Sequence, residues 1–194
     1  MPPNPERRAQ LLDAAIEILG DVGIGGLTHR AVDDRAGQPA GTTSNYFRTR
    51  IALLEATTGR VADLQWQYVG LLQEGLVQNQ GTLTRDTLAA LMTRMVTDAD
   101  PVLRRRQLAR YELFNEGVRR PELRASLGEI QAAAMKSAAV ILQSAGLEPT
   151  EEQVGELARL LNGLAYSNLT FTEDQPGAKD QAGVIDRLLK AVLG

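Results

Sequence analysis

The sequence predicts an all-α protein, and three observations carry that expectation. Leucine, alanine, arginine and glutamate dominate the chain, while aromatic residues make up only 4% of it. Alternating β-branched runs of the kind that form strands are hard to find. Apolar residues recur instead at three- and four-residue spacing along the chain.

The elements follow in order. Residues 6–20 place Leu12, Ala15, Ile16 and Leu19 on one stripe, and the glycines of GDVGIGG end that helix. Thr28 is a suitable N-cap for a second helix, with Leu27 and Val32 in the positions of a hydrophobic staple, and Gly37 stops it. Pro39 suits the first position of a third, short helix ending around Phe47, because its fixed φ is helical and its missing N–H would be unpaired there. From about Thr49 a long helix runs through Leu53, Thr57, Val61, Leu64, Tyr68, Leu71 and Leu72, with an interruption near Gly75. Further helices are expected over 83–98, 101–118, 121–145, 150–172 and 178–193. Pro101, Pro121 and Pro149 lie at or near starts, and TEEQ at 150–153 forms a capping box.

Composition excludes several chemistries. There is no cysteine and a single histidine, His29, so disulfides, thiol catalysis and a cysteine- or histidine-based metal site are not expected, nor is any cofactor. No apolar run approaches the roughly 18 residues of a membrane span, and MPPNPERRAQ lacks the apolar core of a signal peptide. A cytoplasmic protein without a membrane partner is expected. The net charge of -3 argues against indiscriminate polyanion binding. Within residues 1–50 the arginines 7, 8, 30, 35, 48 and 50 are matched by Glu6, Asp13, Glu17, Asp21, Asp33 and Asp34. Any nucleic-acid contact must come from a few placed cations. An enzymatic reading would have to use Glu112 with Tyr111 or Tyr166. It lacks a cysteine nucleophile and a phosphate-binding glycine motif, so no enzyme is expected.

The segment THRAVDDRAGQPAGTTSNYFRTR, residues 28–50, puts two short helices around a glycine-containing turn, the helix-turn-helix pattern. Val32, Ala36, Thr43 and Phe47 fall on an inward face. Ala40, Gly41, Thr42, Ser44, Asn45 and Tyr46 point more outward, carrying small and hydrogen-bonding groups rather than a Glu/Lys surface. Thr28 can offer a hydroxyl and helix-start amides to a phosphate, and Arg48 and Arg50 follow directly. A helical hairpin that merely packs is the plain alternative.

LLDAAIEILGDVG, LTHRAV, RAG and GTTSNYFRTRIALL together resemble the TetR family of bacterial transcriptional regulators over about the first 55 residues. The resemblance implies a three-helix DNA-binding head at 1–50 on a larger helical effector-binding and dimerisation domain at 51–194. It implies that Thr28, Tyr46 and Arg50 anchor phosphates, and that Ala40, Gly41, Thr42, Ser44 and Asn45 face bases or flanking phosphates. Arg30, Pro39 and Arg48 complete the expected DNA-binding set. Gln38 and Pro39 stand where a Val-Ser pair is usual, Thr43 replaces an inward leucine, and Ser44 replaces an aromatic residue.

Residues 150–172 carry two apolar stripes, Val154-Leu157-Leu161-Leu164-Ala165 and Leu160-Leu164-Ser167-Phe171, and the last helix is similarly broad with Val184, Ile185, Leu188, Leu189 and Val192. One side can face the chain's own core and another a partner. The resemblance implies pairing of these helices in a homodimer, with Leu157, Leu160, Leu161, Leu164, Phe171, Ile185, Leu188, Leu189 and Val192 at the interface. It also implies a small-molecule cavity, for which Trp66, Tyr68, Met92, Met95, Tyr111, Glu112, Phe114, Asn115, Met135, Tyr166 and Asn168 are the candidates. Met and aromatic residues at helical spacing are equally the material of a core. The expected function is a repressor that leaves double-stranded, palindromic operator DNA when an effector binds. The alternative is a DNA-binding regulator without small-molecule input, controlled by a protein or acting as an activator.

Overall fold

The computed structural model describes residues 4–78, 83–97, 100–169 and 180–194. The regular structure among them is helical: α1 (Pro5–Val22), α2 (His29–Arg35), α3 (Thr42–Tyr46), α4 (Arg50–Gln78), α5 (Arg85–Thr97), α6 (Pro101–Arg119), α7 (Arg124–Ser144), α8 (Glu151–Asn168) and α9 (Gln181–Leu193). Single 3-10 turns, Ile24–Gly26 and Pro121–Leu123, precede α2 and α7. No helix among the described residues is long and apolar enough to cross a membrane.

The chain packs as two compact units, Met1–Gln65 with Ala99–Gln131 and Trp66–Asp98 with Ala132–Gly194. In the first, α1 is capped by Asn4, whose side chain accepts the Glu6 and Arg7 amides at 2.9 and 3.2 Å. Its Leu11, Leu12, Ala15, Ile16, Ile18 and Leu19 are buried with Leu53 and Leu54 of α4 and Ala109 and Leu113 of α6. The α1–α6 contact is close enough to need a glycine. A Cβ on Gly20 would overlap the Arg105 carbonyl and side chain. In the second unit, one core joins Leu88, Met92 and Val96 of α5 to Ile141 and Leu142 of α7, Val154, Leu157, Leu161 and Ala165 of α8, and Ile185, Leu189 and Val192 of α9.

Local sequence rules account for most boundaries. Thr28 caps α2 through Ala31 N–H at 3.1 Å, and Leu27 and Val32 are fully buried as the staple requires. Thr150 and Gln153 form the expected capping box of α8. Pro101 opens α6, whose first amides bond to Asp100, and Pro121 opens the 3-10 turn rather than α7 itself. Two expectations need correction. α4 runs unbroken to Gln78, because a lone helical glycine such as Gly75 weakens a helix without ending it. The third helix starts at Thr42 rather than Pro39, because Gly41 adopts φ +90° and Pro39 instead closes a turn, accepting Thr42 N–H at 3.1 Å.

Candidate nucleic-acid interface

The head is built by clamping two short helices onto α1. Val32 and Thr43 are fully buried, Phe47 nearly so, and Ala36 packs against the same core, which is the inward face expected from the sequence. What joins α2 to α3 is polar. Asp33 on α2 is only 1% exposed. Its Oδ2 accepts Gly41 N–H at 2.7 Å, and its Oδ1 accepts both Thr43 N–H at 2.7 Å and the Thr43 hydroxyl at 2.5 Å. Sequence pattern assigns Asp33 only a place in the charge balance of residues 1–50. The available signal was a polar residue beside inward Val32, paired with a threonine at an inward position of the next helix.

Other bonds brace the head. His29 Nε2 lies 2.7 Å from the Phe47 carbonyl, where an Nε2–H would donate to it and tie the start of α2 to the end of α3. The Tyr46 hydroxyl accepts Asn4 N–H at 3.1 Å, and the Arg8 guanidinium lies 5.4 Å from the centre of the Phe47 ring. Arg35 reaches Glu17 and Asp21 of α1 at 3.2 and 2.9 Å, and Arg105 of α6 reaches Asp21 at 2.7 Å. The Arg35 hydrogen bond, assisted by the Arg105 charge, holds the Asp21 carboxyl below its ordinary value.

The residues expected to read DNA differ in exposure. Ala40, Gly41, Ser44 and Asn45 are exposed, as are Thr28, Arg30, Pro39 and Arg48. Thr42 is half-buried and donates its hydroxyl to the Pro39 carbonyl at 2.6 Å. Tyr46 is half-buried on Asn4. Arg50 is exposed, but its guanidinium donates to the Ile24 carbonyl at 2.7 Å and to the Leu27 carbonyl. Of the exposed cations of α2 and the α3–α4 junction, Arg30 and Arg48 form neither an ion pair nor a side-chain hydrogen bond among the described residues, whereas Arg50 is held by carbonyls.

The expected effector residues fall in both units. In the first, Tyr111 is buried with its ring 6.5 Å from that of Phe114, which packs against the core. Glu112 accepts Ile24 N–H at 2.8 Å, so its carboxylate is a strut from α6 to the α1–α2 connection. Glu112 and exposed Asn115 also border an open cavity of about 490 Å³ with Ile24, Glu116, Val118 and Arg119. In the second unit, Met92 is fully covered by the chain's own core. Asn168 is committed to the Val96 carbonyl at 3.1 Å and to Gln181. Met95 and Met135 are half-buried against that core, while Trp66, Tyr68 and Tyr166 are exposed.

The interface residues divide similarly. Leu157, Leu161, Ile185, Leu189 and Val192 are covered within the chain, where α5, α8 and α9 meet, so their burial needs no second molecule. Leu160 is 38% exposed, and Leu164 and Leu188 are half-buried. Phe171 lies outside the described residues.

Comparison with known proteins places this architecture. Residues 11–57 match the family model described as bacterial regulatory proteins, tetR family, and residues 83–194 match that described as tetracyclin repressor-like, C-terminal domain. The HTH-type transcriptional regulator BetI of Cronobacter sakazakii is 47% identical over 54 residues, 28% of this chain and just over a quarter, 27%, of the relative. BetI of Yersinia pestis is 29% identical over 193 residues, 95% of this chain and 80% of that protein. Among solved structures, a candidate TetR-family transcriptional regulator from Rhodococcus sp. superimposes with TM-score 0.71 at 26% identity, over 98% of this chain and 100% of that one. The multidrug binding protein EbrR complexed with imidazole gives TM-score 0.65 at 26% identity, over 95% and 96%.

Proposed function

The chain belongs to the TetR family of bacterial regulatory proteins, DNA-binding transcriptional regulators rather than enzymes, and on that premise we propose that it is a homodimeric repressor released from a palindromic operator by a small molecule. The observation that carries the reading is the outer side of α3. Ser44 and Asn45 lie exposed on the five-residue α3 and Ala40 and Gly41 lie exposed in the turn before it, close in sequence to exposed Arg48. Residues 1–50 then act as the reading head and 51–194 as the dimerisation and effector domain. Asn45, Ser44 and the exposed backbone at Ala40 and Gly41 meet base edges or their flanking phosphates, and Thr28, Arg30 and Arg48 hold the phosphate backbone.

Dimerisation is supported by the face of α8 and α9 that the chain leaves incompletely covered among the described residues, with Leu160, Leu164 and Leu188. A two-fold dimer sets its recognition helices about 34–36 Å apart, which calls for half-sites one turn of DNA apart. Release by a small molecule is supported by the multidrug binding of EbrR and by aromatic Trp66, Tyr68 and Tyr166, which are exposed in the second unit. Since α4 is continuous from Arg50 to Gln78, a ligand that displaces it near Tyr68 moves the helix that begins beside the recognition segment. Such a ligand must bind the DNA-free state more tightly. Acting on DNA places the protein in the bacterial cytoplasm.

Selection of bound duplexes from a random pool tests the reading. Enrichment of an inverted repeat with half-sites about 10 base pairs apart is expected, and a pool without enrichment at moderate salt overturns it. For release, calorimetric titration of a candidate small molecule with and without operator should give weaker binding to the DNA-bound dimer. Equal affinities would exclude that compound as the effector.

A further inference from the structure

α3 spans five residues, Thr42–Tyr46, far below the about 12–15 that sustain an isolated helix in water. Its shape and direction are therefore imposed from outside. Its N-cap is Gly41, which has no side chain to bond the opening amides. The cap comes from α2 instead, with both oxygens of Asp33 engaged as described above. An apolar contact at this point would fix a distance between the two helices. Two carboxylate oxygens gripping Gly41 N–H, Thr43 N–H and the Thr43 hydroxyl fix a rotation as well, because each bond is directional.

That rotation bears on DNA reading. Successive helical residues point about 100° apart, so the orientation of Thr43 sets that of Ser44 and Asn45, which follow it directly and are exposed. A binding constellation tolerates errors of only about 0.5 Å and 10–20°. We propose that Asp33 is a specificity-determining positioning residue, whose clasp on Gly41 and Thr43 sets the rotation of α3 and thereby which base edges Ser44 and Asn45 meet. This rests on the reading of α3 as the recognition helix. Asp33 itself is buried and touches no base. It acts through Thr43, and the polar pair stands where an apolar contact would have sufficed for packing alone.

The test compares Asp33→Asn, Thr43→Val and Thr43→Ser in the full chain. Asp33→Asn turns one acceptor into a donor facing an N–H, Thr43→Val removes only the hydroxyl at nearly constant volume, and Thr43→Ser keeps the hydroxyl while removing the methyl group. The readouts are affinity for the selected duplex, affinity for an unrelated duplex of the same length, and the folded fraction by thermal melting. Asp33→Asn is expected to lose about tenfold or more in affinity for the selected duplex, with the unrelated duplex changed by less than about twofold. Thr43→Val should lose less, and Thr43→Ser should bind as the parent does. Parallel loss on both duplexes in step with the folded fraction would overturn the proposal, as would a Thr43→Val ratio equal to the parent's. Should Asp33→Asn fail to fold, the two Thr43 variants decide alone. A parent protein that selects no sequence would remove the recognition-helix reading itself, and this inference with it; a parent that selects one while the variants keep its specificity ratio would remove only this inference.

Discussion

Arg48 and Arg50 stand two residues apart and do different work. The Arg50 guanidinium sits on the carbonyls of Ile24 and Leu27, whereas Arg48 is exposed without an ion pair among the described residues. Arg50→Ala should therefore lower fold stability by about 1–3 kcal/mol, measurable by denaturant titration, and weaken DNA binding partly through the loosened head. Arg48→Ala should leave the melting curve in place and reduce the salt slope of DNA binding by about one. Equal effects of the two on stability would show that the Arg50 contacts contribute nothing. The sequence marked both arginines as DNA contacts because charge and spacing are local, while the carbonyls that engage Arg50 lie 23 and 26 residues upstream. Asp21 supplies the pH dependence. Its lowered value means that its bonds to Arg35 and Arg105 stabilise the head fully above the ordinary value of 3.8 and are lost as pH falls through the lowered one. Thermal melts over an acid series should fall less steeply for Asp21→Asn than for the parent.

At the level of elements, what could be read in advance was whatever is encoded within a few residues. Thr28 and Val32, Thr150 and Gln153, and the apolar stripe of α1 each announce themselves inside one helix. The start of α3 does not, because Pro39 satisfies the local rule for a first helical position while the groups that decide the matter are Gly41 and an aspartate on the preceding helix. Gly75 misled in the other direction. Among the described residues no atom outside the helix's own backbone lies within 4 Å of a Cβ placed there, so Gly75→Ala should stabilise α4 by about 0.5–1 kcal/mol, read as a raised denaturation midpoint. Gly20→Ala should do the reverse. Its methyl group overlaps the Arg105 carbonyl, so α1 and α6 must separate, at a cost of about 1–3 kcal/mol. A Gly20→Ala variant as stable as the parent would show that the two helices are not held at this distance.

For the whole molecule, the family was legible from about 55 residues of motif and the all-helical architecture from composition and periodicity along the chain, but the allocation of apolar residues was not. Periodicity reports that a face is buried and is silent on what buries it. Leu157, Ile185 and Leu189 looked like partner contacts and prove to be covered by the chain's own α5, α8 and α9. Met92 and Glu112 illustrate the same limit among the expected effector residues, one closed in a core and the other bonded to a backbone amide. The dimer proposal is therefore best tested at Leu160, which is 38% exposed. Leu160→Glu should fold normally, sediment as a monomer and lose operator affinity. Leu161→Glu, by contrast, should unfold the second unit, since Leu161 lies in its core. A dimeric Leu160→Glu would place the interface elsewhere.

The α1–α2 connection is rich in glycine, GIGG at 23–26, and glycine gives up more conformational freedom on folding than any other residue. Here that freedom is taken away at one residue from two directions, with the Ile24 N–H held by Glu112 of α6 and the Ile24 carbonyl by Arg50 of α4. Hydrogen–deuterium exchange would see this directly. Ile24 should stand out as a protected amide beside exposed Gly25, and its opening requires the carboxylate of a helix 88 residues away to let go. The exchange rate of one amide thus becomes a meter of how firmly α6 grips the reading head.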